Sequence, residues 1–181
     1  IDFRTFDEVE FSRTRATDVR AGYEHDRVLV YLRQLDWFLV IDAIRLLAEG
    51  PYTVSNLFYT HEVTARGETW FDTRLGAMRG YEPAAGRDRR LLIAFLGRED
   101  AWQGTEPVRR YYQDEILVQQ STSGRASKGM WQVFATALVP HDGGEDAAAL
   151  AGRVTIPSVS RASAAAVRVQ GPGGDITVGV K

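Results

Sequence analysis

The apolar rhythm of this chain constrains its fold more than any other feature. Hydrophobic residues come in short runs separated by turn formers, and helical spacing is scarce. Arg27–Arg33 and Asp36–Asp42 are rich in β-branched and aromatic residues, so each reads as a strand. The short link Arg33–Asp36 makes the two a hairpin. Their apolar runs are nearly continuous, which marks strands buried on both faces or lying in a sandwich core. Further strands are predicted over Thr53–Val63, Thr69–Leu75, Arg90–Leu96, Glu115–Gln120, Met130–Val139, Arg153–Pro157, Ala164–Gln170 and Asp175–Val180. Pro172-Gly173-Gly174 turns the last pair. Strands in close succession, without helices between them, predict an all-β antiparallel sandwich of about ten or more strands. Two segments fit a helical period. Asp42–Glu49 ends at Gly50-Pro51 and reads equally as a strand end; Glu145–Ala151 is the other. Gly76–Arg90 and Pro140–Gly152 read as long loops, where sandwiches usually build their sites.

Composition narrows the function. A length of 181 residues suits a single domain, 1–181, with enough chain for its own core. There is no cysteine, so disulfide scaffolds, thiolate metal sites and thiol catalysis are excluded. A net charge of −2 and a pI near 6.0 argue against a generally basic nucleic-acid binder. The apolar runs are far too short for a helix to span a membrane. Lys128 and Lys181 are the only lysines among 22 basic residues, an arginine bias that suggests a GC-rich bacterial source. The chain opens at Ile1 rather than Met, and the expectation is a piece of a longer polypeptide.

Candidate chemistry is sparse. His25, His61 and His141 each have a carboxylate nearby in sequence, but no HxH or HExxH spacing is present. His25 and His141 read as solvated loop residues, and His61 as a hydrogen-bonded strand residue. Asp42 closes an apolar strand, as a turn former or as a charge at a cleft edge. Arg27 is placed to pair with Asp36 or Asp42. Trp37 and Trp131 lie inside apolar runs and read as core. Trp70 and Trp102 are the candidates for stacking on sugar rings, against a packing role. Arg109-Arg110 beside Tyr111-Tyr112 suits an acidic-sugar contact, or equally a solvated strand edge. No serine-nucleophile motif or phosphate-cradling glycine loop is present.

One stretch carries a family resemblance. His25-Asp-Arg-Val-Leu-Val-Tyr-Leu, a turn, Asp36-Trp-Phe-Leu-Val-Ile-Asp42, then Tyr52-Thr-Val-Ser-Asn-Leu-Phe-Tyr-Thr-His61 resembles the β-sandwich domain of heparinase II/III-like polysaccharide lyases. Phe134-Ala-Thr-Ala-Leu-Val-Pro140 resembles a late strand of the same domain. The resemblance implies a C-terminal module, with an N-terminal α/α toroid of the same polypeptide supplying the main catalytic Tyr and His. It implies β-elimination of an acidic, uronate-containing polysaccharide or oligosaccharide and a bacterial secreted or periplasmic setting. It also implies a zinc site from Asp42, His61 and His25, and a catalytic role for His61. The alternative expectation is a stand-alone sandwich, either structural or binding carbohydrate through Trp102, Trp70, Arg109 and Arg110.

Overall fold

The computed structural model describes residues 2–76, 88–98, 100–155, 165–171 and 174–180. Fourteen strands in three antiparallel sheets account for most of them. The strands are β1 (Asp2–Thr5), β2 (Val9–Asp18), β3 (Tyr23–Leu32), β4 (Trp37–Leu46), β5 (Gly50–Thr60), β6 (Glu62–Arg66) and β7 (Trp70–Arg74). They continue as β8 (Arg89–Leu96), β9 (Trp102–Arg110), β10 (Gln113–Ala126), β11 (Trp131–Asp142), β12 (Val154–Thr155), β13 (Ala165–Gly171) and β14 (Gly174–Val180). One helix, α1 (Ala147–Gly152), is capped by the Asp146 carboxylate, which accepts the amides of Ala148 and Ala149.

An eight-stranded sheet, ordered β1-β2-β3-β4-β11-β8-β7-β6, forms the middle layer. On one face, Leu39, Ile41, Leu92 and Ala137 pack against Val167 and Val169 of β13 and Leu150 of α1. On the other, Ile44, Leu46 and Phe134 meet Ala126 of β10, while Phe71, Ile93 and Phe95 meet Val118. Neighbours in sequence therefore point to opposite cores, as the two-residue strand period demands. This explains the continuous apolar runs of β4, β8 and β11: each strand is covered on both faces.

The β3–β4 hairpin forms as expected, with Leu32 paired to Trp37. Asp36 takes the left-handed conformation at φ 57° and accepts the Tyr31 hydroxyl at 2.8 Å. Asp42–Glu49 is not helical. It continues β4 to Leu46, because Ile44 and Leu46 alternate into the second core. The predicted strand Thr53–Val63 divides at His61, where the chain leaves the β5-β10-β9 sheet and enters the large sheet as β6. Trp102–Arg110, absent from the predicted strands, forms edge strand β9. The helix expected near Glu145–Ala151 is α1. Most of the predicted Gly76–Arg90 loop, the end of Arg153–Pro157 and Pro172-Gly173 lie outside the described residues. Among those described, no helix is long and apolar enough to cross a membrane.

Candidate functional site

The second core ends in a cleft where β3 and β4 rise beside the start of β5. Antiparallel pairing sets His25 opposite Ile44 and Arg27 opposite Asp42. Period two brings these side chains to the face that looks toward β5. A cavity of about 460 Å³ opens there, lined by Tyr23, His25, Ile44, Tyr52 and Val54 among others.

Asp42 is buried beside His25 and holds two partners. The His25 Nε2 lies 2.6 Å from Asp42 Oδ1. Arg27 donates through Nε to Oδ1 at 2.7 Å and through Nη2 to Oδ2 at 3.1 Å. Burial pushes the Asp42 carboxyl up, but the hydrogen bonds from His25 and Arg27 outweigh it and hold the group below the usual aspartate range. An ionised carboxylate only accepts, so the His25 Nε2–H donates, and Nδ1 is the acceptor of the neutral ring. The arrangement fixes one orientation of a histidine on a cavity wall. It does for His25 what an orienting carboxylate does in acid–base sites. His25, expected to be a solvated loop residue, is instead a partly buried strand residue.

The residues do not form a zinc site. Zinc takes three or four protein ligands, and here His25 and Asp42 supply two. His61 does not join them. It follows the far end of β5, six residues beyond Ser55, or roughly 20 Å of extended strand. Arg27 already engages both Asp42 oxygens, so a guanidinium sits where a cation would be required. Among the described residues, no group of three or more His, Asp or Glu side chains is gathered for a metal.

The remaining candidates fall in three places. His61 accepts the Gly76 amide at Nδ1, 3.1 Å away, and neighbours Glu115, whose carboxyl is held low by Gln113 and Arg110. Trp70 packs against the first core, its ring lying across Gly67. Trp102 is exposed on β9, and Arg109 and Arg110 end that strand. His141 is not solvated: it is buried with Nε2 2.8 Å from Asp72 Oδ1, and Arg90 grips the other oxygen at 3.1 Å. Burial and the Arg90 ion pair make this a structural linchpin between β7, β8 and β11. Sequence reasoning missed Tyr23 and Tyr52 as cleft residues, since one opens a strand and the other follows a proline. Their only signal is that both neighbour polar residues at strand starts.

No protein-family model and no curated protein sequence matches this chain. Solved structures do. A heparinase III structure matches 99% of this chain at a TM-score of 0.64 and 12% identity, over 27% of that protein's length. Heparan sulfate lyase HepC from Pedobacter heparinus matches 99% of the chain at a TM-score of 0.60 and 14% identity, again over 27% of its length. Another heparinase III structure covers 100% at a TM-score of 0.62 and 13% identity. The chain thus spans about a quarter of the proteins it is similar to, and what it shares with that quarter of heparinase III and HepC is the fold.

Proposed function

We propose that this chain is the β-sandwich module of a heparinase-like polysaccharide lyase. It works with an N-terminal helical toroid of the same polypeptide on an acidic, uronate-containing polysaccharide, in a bacterial secreted or periplasmic protein. One observation carries the reading: the whole chain matches in fold about a quarter of heparinase III and heparan sulfate lyase structures.

In the reaction, a base removes the proton α to the uronate carboxyl. The C–H electrons form the C4–C5 double bond, the C4–O bond breaks, and the leaving oxygen takes up a proton. Neutralising the carboxylate lowers the barrier, because negative charge develops beside it. Arginine suits that task through its planar, bidentate donors. Within this module His25 is the histidine best placed to move a proton, because Asp42 fixes its ring at a cavity wall. Arg27 keeps Asp42 ionised without a metal, so no step here passes through one. His61, at the other end of β5, serves as a local hydrogen-bonding residue in this reading. The toroid supplies the principal base, so the chain by itself has no turnover.

The native reading frame tests this. Several hundred residues of helical period ahead of Ile1, as a domain of toroid size needs, support it. A native protein that starts within a few residues of Ile1 overturns it and leaves a stand-alone carbohydrate-binding or structural sandwich.

A further inference from the structure

We propose that the cleft beside His25 binds an uncharged sugar ring bearing an acetamido group, so that it takes an N-acetylated amino sugar of the polysaccharide and not its uronate. The proposal rests on the lyase reading above and names the sugar unit that this cleft accepts.

The lining decides the charge of the occupant. At about 460 Å³ the cavity has the size of a small-molecule site. Among the described residues, no Asp, Glu, Lys or Arg lines it. Asp42 and Arg27 stand next to His25 but outside the lining, and each already neutralises the other. A carboxylate or sulfate drawn into the cleft would lose water and meet no free cation, which is unfavourable. Tyr23, Ile44, Tyr52 and Val54 offer rings and methyl groups instead. Such a wall suits the C–H face of an uncharged pyranose. Tyr52 is a fixed part of it, because its hydroxyl accepts Gln132 Nε2 at 3.0 Å and Gln132 Oε1 accepts Arg98 Nη2 at 2.7 Å.

The polar groups come from a strand edge. The consecutive residues Pro51, Tyr52, Thr53, Val54 and Ser55 all line the cavity. A strand that met it with one face would contribute only every second residue. Ser55 turns its side chain to the far face of its sheet, where its hydroxyl meets that of Ser121 at 2.8 Å. Thr53, two residues earlier, shares that face. These two therefore border the cavity through their backbone. Strand β5 pairs with β10 on one side only. Along its other edge, every second residue presents an N–H and a C=O without a ladder partner. No other backbone hydrogen bond among the described residues takes these groups up. Pro51 has no N–H, so the free donors at the cavity lie within Tyr52–Ser55.

An acetamido group is itself one N–H and one C=O. It pairs with an open strand edge as the backbone of another strand does. His25 adds an acceptor across the cavity: Asp42 holds its Nε2, which leaves Nδ1 to accept from a ring hydroxyl. The cleft thus presents a donor and an acceptor on one wall, a second acceptor on the other, and apolar surface between them. A free amino sugar lacks the C=O and carries a charge. A uronate lacks the amide altogether. The acetylated amino sugar is the unit whose groups match all three.

The test is NMR titration of the chain with the trimers of N-acetylglucosamine, glucosamine and galacturonate. The acetylated trimer is expected to shift the amide signals of Tyr23 and of Tyr52–Ser55, and to bind at least about tenfold more tightly than the other two. Two variants are compared. Ala21→Trp fills the cavity from an exposed position in the β2–β3 turn, away from either core, and should bind at least about tenfold more weakly with Tm unchanged. His25→Ala should bind about three- to tenfold more weakly, the loss of one hydrogen bond. An acetylated trimer that does not bind, a galacturonate trimer that binds equally well, or unchanged affinity in both variants overturns the assignment. Each of these results leaves the lyase reading standing, because turnover by the intact native polypeptide decides that separately.

Discussion

Asp26 offers a sharp test of how the N-terminal strands are held. Strand β2 lies near the edge of the large sheet, where its outer residues have little core to bury. Two arginines of β2 fix it to β3. Arg13 Nε donates to Asp26 Oδ1 at 2.8 Å, its Nη2 contacts Oδ2, and Arg15 Nη2 reaches Oδ2 at 2.7 Å. The hydrogen bonds from Arg13 lead in lowering the Asp26 carboxyl from its ordinary 3.8 to about 2, against the opposing effect of burial. A carboxyl lowered in the folded state stabilises above its unfolded value, and the benefit is lost as pH falls from about 4 through 2. The full drop corresponds to about 2.5 kcal/mol. Arg13 and Arg15 are 36% and 63% exposed, so solvent screening reduces this to about 1–1.5 kcal/mol. Urea unfolding of the wild type and Asp26→Asn at pH 7, 5, 3 and 2 measures it. The variant should be less stable by that amount at pH 7, and the gap should shrink by half or more at pH 2. A gap that stays constant across the series refutes the ion-pair account, and packing would then have to explain the loss.

Other predictions use the same molecule. Gln120 is fully buried, and among the described residues neither of its side-chain polar atoms has a partner, so Gln120→Met should raise stability by about 1–2 kcal/mol in denaturant melts. Phe134→Ala removes a fully buried ring from the second core and should cost about 3–5 kcal/mol, with loss of the folded signal at 37 °C as the practical readout. Asp146→Ala deletes the cap of α1 and should cost about 1 kcal/mol by thermal melting. Zinc addition and chelator treatment should leave Tm unchanged, because Arg27 already satisfies Asp42; a chelator-induced drop in Tm would contradict that.

The strands were legible where burial was strongest. Arg27–Arg33 and Asp36–Asp42 announce themselves because both faces of β4 and one face of β3 are covered. Edge strands were not. In β1 and β2, Asp2–Asp18 mixes charges with isolated apolar residues, since most of that surface meets water. In β9, Trp102–Arg110 lacks an apolar alternation because its residues are all half-buried or exposed. The break at His61 was hidden too: a strand that changes sheet keeps its apolar pattern, and only the register records the corner. The site was legible in part. The Arg27–Asp42 pair follows from hairpin register, and the structure adds His25 to it. His61 does not group with them because it follows the end of β5 opposite the cleft.

The measurement that tests the central claim most directly is turnover. The intact native polypeptide and the 181-residue chain are each incubated with heparan sulfate, hyaluronan and a neutral glucan, and formation of unsaturated uronate is followed by ultraviolet absorbance. The account predicts product from the intact polypeptide on an acidic substrate, none from the chain alone and none from the glucan. An intact polypeptide that folds, carries a helical domain and still forms no unsaturated product from any uronate polymer would contradict it.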